Sequence, residues 1–177
     1  MNSRFLFVPV AAVCWVQPSQ ATVYMSVEQA QSAMFPGATF EPEFRTLTAA
    51  QVSAIEKTSD THVLDKQLRV WKASTGGWFI ADQVVGKHDF IPFAVALDNK
   101  GAVKAVEILE YREAYGGEVR NGQWRAQFVG KGQDAALKLT RDIQNISGAT
   151  LSSKHVTDGV RRVVTTYAVL LSGQSAQ

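Results

Sequence analysis

Short apolar runs dominate the middle of the chain and predict β-strands. From about residue 67 onward these runs are rich in Val, Ile, Phe and Trp and are separated by turn-forming residues. The turn Asp98-Asn99-Lys100-Gly101 between the last two runs is typical of a hairpin. Pro92, in the third run, predicts an edge position or a bulge because proline has no N–H to donate. We therefore expect an antiparallel sheet of at least four strands. The runs span residues 68–73, 77–85, 90–97 and 102–110.

Two short helices are predicted before the sheet. Residues 26–34 suit a helix with Ser26 as N-cap and Gln29 three positions later, a pairing typical of a capping box. Residues 48–57 suit a second helix, with Thr48 as its cap.

The last part of the chain predicts one long amphipathic helix. Its apolar side chains recur at helical spacing, so one face is expected to pack on the sheet. Residues 134–139 contain few apolar positions and are interpreted as a possible short strand. The predicted fold class is α+β: an antiparallel sheet packed against short N-terminal helices and a C-terminal amphipathic helix. The apolar positions of that helix are Val156, Val160, Val163, Val164, Tyr167, Ala168 and Leu171.

Composition and charge restrict the function classes. The 177 residues are 46% hydrophobic and 19% charged, which is typical of one globular domain and excludes wholesale disorder. Lys and Arg total 18 against 16 for Asp and Glu, a balance that argues against nucleic acid as a partner.

The first 21 residues predict a secretory signal. Arg4 precedes an apolar stretch of about 12 residues, and Ser19 and Ala21 put small residues at the positions that a signal peptidase requires. The stretch is shorter than the roughly 20 residues of a membrane-spanning helix, so an uncleaved anchor is the less favoured alternative. Cys14 is the only cysteine, so residues 22–177, predicted to form a single domain, would have none. This composition is compatible with a periplasmic location.

A stretch of small and hydroxyl residues precedes the closing helix. Ser147, Gly148, Ala149, Thr150, Leu151, Ser152 and Ser153 follow one another there. Backbone N–H groups in a first helical turn lack intrahelical partners and, with the helix dipole, favour a bound anion such as phosphate. Spacing alone favours a simpler alternative, an ordinary helix start in which Ser152 or Ser153 is the N-cap.

This stretch resembles the flavinylation motif of the FMN-binding domain family. The family includes the covalent-flavin subunits of the sodium-pumping NADH:quinone oxidoreductase and of Rnf-type complexes, and many small exported proteins. The resemblance implies that FMN is attached to Thr150 through a phosphoester, by a flavin transferase that uses FAD and Mg²⁺. It also implies that the residues around Thr150 contact the cofactor: Ser147, Gly148, Ala149, Leu151, Ser152 and Ser153. The family motif usually begins with Asp, where this chain has Gln144, and Asp142 lies two residues upstream.

A second block, between residues 110 and 131, is similar to a glycine-containing segment of the same family. In the family this loop lies beside the flavin, which implies cofactor contacts from glycine backbone and from aromatic rings. The alternative from the residues alone is a glycine turn with aromatics covering the core. The candidate contacts are Glu110, Tyr115, Gly116, Gly117, Trp124 and Lys131.

Lys87-His88-Asp89 has the residue types of an acid/base cluster, but its place between two predicted strands favours a solvated loop. The histidines are far apart in the sequence and do not suggest a metal site.

These resemblances imply an exported flavoprotein that transfers electrons. Its expected partners are the flavin transferase and membrane or periplasmic redox proteins such as cytochromes. A carrier is favoured over a stand-alone enzyme, since no substrate pocket is evident in the sequence. The alternative function is a non-redox binding or sensing module of the same fold that is not flavinylated, and Gln144 is the feature that favours it.

Overall fold

The computed structural model describes residues 22–174, so the predicted signal segment lies outside the described residues. The two N-terminal helices, the four long strands and the closing helix follow the predicted order, whereas β1, β2, β3, the 3₁₀ turn and α3 were not predicted. Strand β1 is followed by helix α1, the short strands β2 and β3, helix α2, strands β4 to β8, a 3₁₀ turn (Gly117–Arg120), and helices α3 and α4. Their bounds are β1 Thr22–Val23, α1 Val27–Met34, β2 Phe40–Pro42, β3 Arg45–Thr46, α2 Ala49–Ser59, β4 Gln67–Ala73, β5 Trp78–Val85, β6 Phe90–Leu97, β7 Val103–Ile108, β8 Glu110–Tyr111, α3 Gly122–Ala126 and α4 Thr150–Leu170.

The main sheet is antiparallel and contains six strands. Its order is β2-β4-β5-β6-β7, with β3 pairing the other end of β4, while β1 and β8 form a separate two-stranded sheet. The predicted hairpin between β6 and β7 is present: Gly101 has a φ of 80°, and its N–H donates to the Asp98 carbonyl at 3.1 Å. The predicted α+β class with an antiparallel sheet is therefore confirmed.

The sheet is buried on both faces, and side-chain size differs between them. In β6, Phe93 and Val95 point to the α4 side, whereas Ala94 and Ala96 point to the α1 side. Strand β5 alternates in the same way, with Ile80 on the α4 side. Burial on both faces explains why these strands read as continuous apolar runs instead of the alternating pattern common in antiparallel sheets.

Two local predictions at the strands were wrong. Pro92 is neither at a sheet edge nor at a bulge, because β6 lies between β5 and β7 and its register shift occurs at Ala96 and Leu97. Proline is tolerated there because its carbonyl still accepts the Leu109 N–H at 2.9 Å, while the Leu109 carbonyl accepts the Tyr24 N–H at 2.9 Å in place of a bond from position 92. Residues 134–139 begin in a turn and continue as irregular backbone rather than a strand, and within them only Leu139 makes an isolated bridge, to Ile143.

The predicted caps of α1 and α2 are both present. Ser26 and Thr48 each accept a backbone N–H bond from the glutamine three residues later, and each glutamine side chain bonds back to the cap. These reciprocal bonds satisfy N–H groups that a helix start leaves free.

Helix α4 is fixed on the sheet by a buried arginine. The Arg162 side chain is 5% exposed, and its Nη2 donates to Asp82 Oδ2 at 2.8 Å and to the Gln83 carbonyl at 2.7 Å. Gly159 faces β5 so closely that a Cβ there would lie 2.6 Å from Val84 Cγ1. Because the helix is held along its length, the position of its N-terminus is also fixed. Among residues 22–174, no helix is both long and apolar enough to cross a membrane.

Candidate functional site

Helix α4 begins at Thr150 without a side-chain cap. Its N-cap is Ala149, and the first intrahelical bond runs from the Ser153 N–H to the Ala149 carbonyl at 2.9 Å. The N–H groups of Thr150, Leu151 and Ser152 therefore precede the helical ladder and have no intrahelical acceptor. The alternative of an ordinary N-cap at Ser152 or Ser153 is wrong, because both serines lie inside the helix.

The turn before α4 leaves the helix end open to a ligand. Gly148 has a φ of 84°, in the left-handed region that favours glycine, and a Cβ there would meet no atom within 4 Å. The Ala149 N–H is used within the turn, where it donates to the Ile146 carbonyl at 3.0 Å. The free N–H groups thus lie at an unobstructed, electrically positive helix end, a suitable place for a phosphate.

A tyrosine joins this helix end to the loop that contains Tyr115, Gly116 and Gly117, called the glycine loop below. The Tyr111 hydroxyl donates to the Tyr115 carbonyl at 2.5 Å and lies 2.8 Å from Ser152 Oγ, so the serine supplies the proton of that second bond. Gly116 fits between them with a φ of 94°, and a Cβ there would lie 2.5 Å from Ser152 Oγ. Burial raises the pKa of Tyr111, which keeps the hydroxyl protonated. The contact explains why a residue with no side chain occupies position 116.

The turn between β5 and β6 is bonded to the segment that leads into the glycine loop. Glu113 accepts backbone N–H bonds from His88 at 2.6 Å and Asp89 at 3.0 Å through the same oxygen, Oε1. Burial raises the pKa of Glu113, but bonds from the backbone N–H groups of this turn outweigh it and hold the pKa below its ordinary value. The ionised carboxylate therefore fastens the turn that carries Lys87 and His88 to the glycine loop.

The N-terminal end of α4, the glycine loop and the β5–β6 turn surround an open cavity of about 430 Å³. Its volume lies within the roughly 300–1,000 Å³ of small-molecule and cofactor sites. Lys87 and His88 are exposed at the cavity, and neither forms an ion pair among the described residues. The cavity is lined by Lys87, His88, Glu113, Ala114, Tyr115, Gly116, Gly148, Ala149, Thr150, Leu151 and Ser152.

The cavity unites part of the predicted site. Of the proposed contacts, Tyr115, Gly116, Gly148, Ala149, Leu151 and Ser152 line it together with Thr150. The sequence did not predict Lys87, His88 and Glu113 as site residues. A charged turn between strands is expected to be solvated, and only the tertiary fold places it beside the helix end.

Other predicted contacts lie outside the cavity lining. Glu110 Oε1 pairs with Arg112 Nε at 2.5 Å, and Lys131 Nζ lies 3.8 Å from Asp142 Oδ2. Ser153 is fully buried, and its Oγ has no hydrogen-bond partner within residues 22–174. Trp124 is 5% exposed and packs edge-on against Phe128. Ser147 is exposed, and Gly117 lies over the Tyr111 ring.

The segment before Thr150 is held by its own hydrogen bonds. Asn145 Nδ2 donates to Thr150 Oγ1 at 2.9 Å, a contact that the sequence pattern did not suggest. The side chain of Gln144 is exposed, while its carbonyl accepts from Trp124 Nε1 at 2.7 Å. The Asp142 carboxylate is turned away and accepts the N–H groups of Leu137 and Lys138 at 2.9 and 2.8 Å. Asp142 is therefore committed to an upstream turn.

The arrangement suits a phosphate-bearing, ring-containing ligand. Unpaired N–H groups and an open glycine lie where an anion would bind, the Lys87 side chain carries complementary charge, and Tyr115, which is 86% exposed, offers an aromatic face at the rim. Within residues 22–174, no group of three or more His, Cys, Asp or Glu side chains could hold a metal ion. No curated protein matches the chain significantly. Residues 86–165, which contain the whole cavity lining, match the family model described as FMN-binding domain.

Proposed function

Since this chain belongs, through residues 86–165, to the FMN-binding domain family, we propose that it carries FMN on Thr150 and transfers electrons. The linkage is a phosphoester to Thr150 Oγ1. The protein is exported to the periplasm, where membrane or soluble redox proteins such as cytochromes are its electron donors and acceptors.

The position of Thr150 is the observation that carries this proposal. Thr150 is exposed, is the first residue of α4, and lines the cavity of about 430 Å³. A phosphate esterified there lies next to the free N–H groups of the first helical turn and at the positive end of a 21-residue helix. The attachment atom, the anion site and the cavity therefore coincide.

The attachment reaction requires little chemistry from this chain. A flavin transferase with Mg²⁺ breaks the phosphoanhydride bond of FAD, the phosphorus forms an ester bond to Thr150 Oγ1, AMP leaves, and the threonine proton passes to a base. The chain supplies an accessible hydroxyl, since neither Gly148 nor Ala149 carries a side chain that would screen it.

Once attached, FMN supplies one- and two-electron transfer. The chain orients the group through the helix end and surrounds it with the glycine loop and the charged turn. Tyr115 and Leu151 are 86% and 50% exposed at the rim, so the cavity opens toward an approaching partner. Such an open site favours exchange with other proteins over enclosure of a small substrate.

Intact mass and in-gel flavin fluorescence test the proposal directly. The chain is coexpressed with a flavin transferase and compared with Thr150→Ala and with Thr58→Ala, whose exposed threonine lies on α2. We expect one FMN per chain in the wild type and in Thr58→Ala, and none in Thr150→Ala. A wild type without added mass overturns the covalent assignment and favours a binding or sensing module. A gain that survives Thr150→Ala overturns the choice of residue.

Export and electron transfer have their own tests. Fractionation of the native host should recover a chain that begins near residue 22 in the periplasm; recovery of the full-length chain in the cytoplasm contradicts export. The flavinylated protein should exchange electrons with a periplasmic cytochrome in stopped-flow mixing. If the reduced flavin of this protein is not reoxidised by any protein acceptor, the carrier role is contradicted.

A further inference from the structure

We propose that Asn145 is a positioning residue for flavin attachment and that α3 holds it in place through the backbone of Gln144. This inference rests on Thr150 being the attachment residue. Asn145 would act on the threonine hydroxyl before the ester forms, and it touches no reacting group except Oγ1.

Thr150 differs from the other threonines of α4 in its hydrogen bonding. The hydroxyls of Thr157, Thr165 and Thr166 each donate to the carbonyl four residues earlier, at 2.7, 2.9 and 2.9 Å. Their protons are thereby committed to the helix. Thr150 Oγ1 instead accepts a bond from Asn145 Nδ2 at 2.9 Å. The hydroxyl proton of Thr150 therefore remains available to an external base.

The Asn145 bond also selects a side-chain conformation. Threonine in a helix divides between two χ1 rotamers because Oγ1 can bond a carbonyl of the preceding turn. For Thr150 that carbonyl belongs to Ile146, which already accepts the Ala149 N–H at 3.0 Å. The amide of Asn145 is the alternative partner. It binds one lone pair of Oγ1 and fixes the direction of the other, which must attack phosphorus.

Helix α3 and its C-cap residue Gln127 hold the residue next to Asn145 from both sides of its peptide backbone. The Gln144 N–H donates to Gln127 Oε1 at 2.8 Å, and the Gln144 carbonyl accepts from Trp124 Nε1 at 2.7 Å. Gln127 Nε2 in turn donates to the Trp124 carbonyl at 3.1 Å, which fixes the glutamine amide. Trp124 is buried against Phe128, so this anchor is rigid.

Through these hydrogen bonds, Trp124 and the backbone of Gln144 position Asn145 without contacting Thr150. The contacts of Gln144 with α3 run through its backbone, and its side chain is exposed. Asn145, whose backbone follows directly, is thereby set at the distance from Thr150 that a donated bond requires. Replacement of the usual acid by Gln144 leaves these bonds intact.

The test measures covalent labelling by a purified flavin transferase with FAD and Mg²⁺. Asn145→Ala removes the amide, and Gln123→Ala is the matched control, since that exposed amide lies on α3 and its side chain makes no hydrogen bond among the described residues. Loss of one orienting hydrogen bond should slow labelling by Asn145→Ala about fivefold to tenfold. The control should label at the wild-type rate.

The kinetic constants separate positioning from a general loss of structure. We expect Asn145→Ala to lower kcat for labelling with little change in the KM for the protein substrate and with an unchanged melting temperature. Gln127→Leu removes the acceptor for the Gln144 N–H while keeping a similar size. If Gln127 acts through Asn145, the double variant is no slower than Asn145→Ala alone.

The outcomes distinguish this inference from the proposed function. Labelling of Asn145→Ala at the wild-type kcat, or additive effects in the double variant, overturns the inference while Thr150 remains the attachment residue. A wild type that accepts no FMN under the same conditions overturns the proposed function itself, and the inference with it. A slow Asn145→Ala variant that also melts at a lower temperature shows a structural role and equally rejects positioning.

Discussion

The Tyr111 hydroxyl lies 2.8 Å from Ser152 Oγ, so the end of β8 is joined to the first turn of α4 at a residue that lines the cavity. Both residues are buried, at 4% and 6% exposure. The same hydroxyl donates to the Tyr115 carbonyl, so one side chain sets the glycine loop and the helix end relative to each other.

Tyr111→Phe should destabilise the protein and loosen the cavity. The substitution removes two hydrogen bonds and leaves the buried Ser152 hydroxyl without its acceptor, a loss of about 1–3 kcal/mol in the free energy of unfolding. Denaturant unfolding measures it, and a double-mutant cycle with Ser152→Ala should show coupling between the two positions. Additive effects would mean that the bond contributes nothing in solution.

Gly116→Ala should be more damaging than Gly130→Ala, although both glycines have positive φ. Gly130, at φ 79°, has open space where a Cβ would be, so the change costs only the backbone strain, about 1–2 kcal/mol. At Gly116 the added Cβ also meets Ser152 Oγ and the Tyr111 hydroxyl, both at 2.5 Å, which adds about 1–3 kcal/mol of overpacking. Equal losses in denaturant unfolding would contradict the close contact.

Acid should release the β5–β6 turn through Glu113. Its native pKa lies below the ordinary value of 4.5, so the ionised carboxylate stabilises the fold above that pH and the contribution is lost as the pH falls through the native pKa. The amide NMR signals of His88 and Asp89 should report this titration. In Glu113→Gln the acid-dependent shift of these signals should disappear, and its persistence would assign the titration to another group.

Lys87→Gln should weaken FMN binding without affecting attachment chemistry. Calorimetric titration of non-covalent FMN into Thr150→Ala isolates this step. An exposed charge near the phosphate is worth about 1 kcal/mol in water, so affinity should fall about threefold to fivefold at low salt and less at high salt. Lys66→Gln, an exposed lysine outside the cavity lining, should bind as the parent does. Equal affinities for the two variants would exclude Lys87 from the site.

Gly159→Ala should destabilise the fold although alanine is the better helix former. The propensity gain is about 1 kcal/mol, whereas a Cβ at 2.6 Å from Val84 Cγ1 and 2.8 Å from Phe93 Cζ introduces about 1–3 kcal/mol of overpacking. Val84→Ala creates space and should reduce the loss, as measured by the double-variant unfolding energy. A stabilised Gly159→Ala would show that the helix does not lie this close to the sheet.

Local sequence was sufficient for much of the fold because the determining interactions are short in range. The capping boxes at Ser26 and Thr48 and the turn at Gly101 each depend on residues a few positions apart. Pro92 was misassigned because the neighbours of a strand are set by distant segments, here β5 and β7.

The sequence by itself determined the order of the two N-terminal helices, the four long strands and the closing amphipathic helix, and the motif ending in Thr150. Only the tertiary structure decided which of the other residues reach that motif. It brought Glu113 and the turn at Lys87 to the helix end, and it turned Trp124 away from the cavity to hold Gln144. The physical reason is that the site is built from contacts between segments that are far apart in the chain. Their approach depends on how α4 packs on the sheet, which a local sequence pattern does not specify.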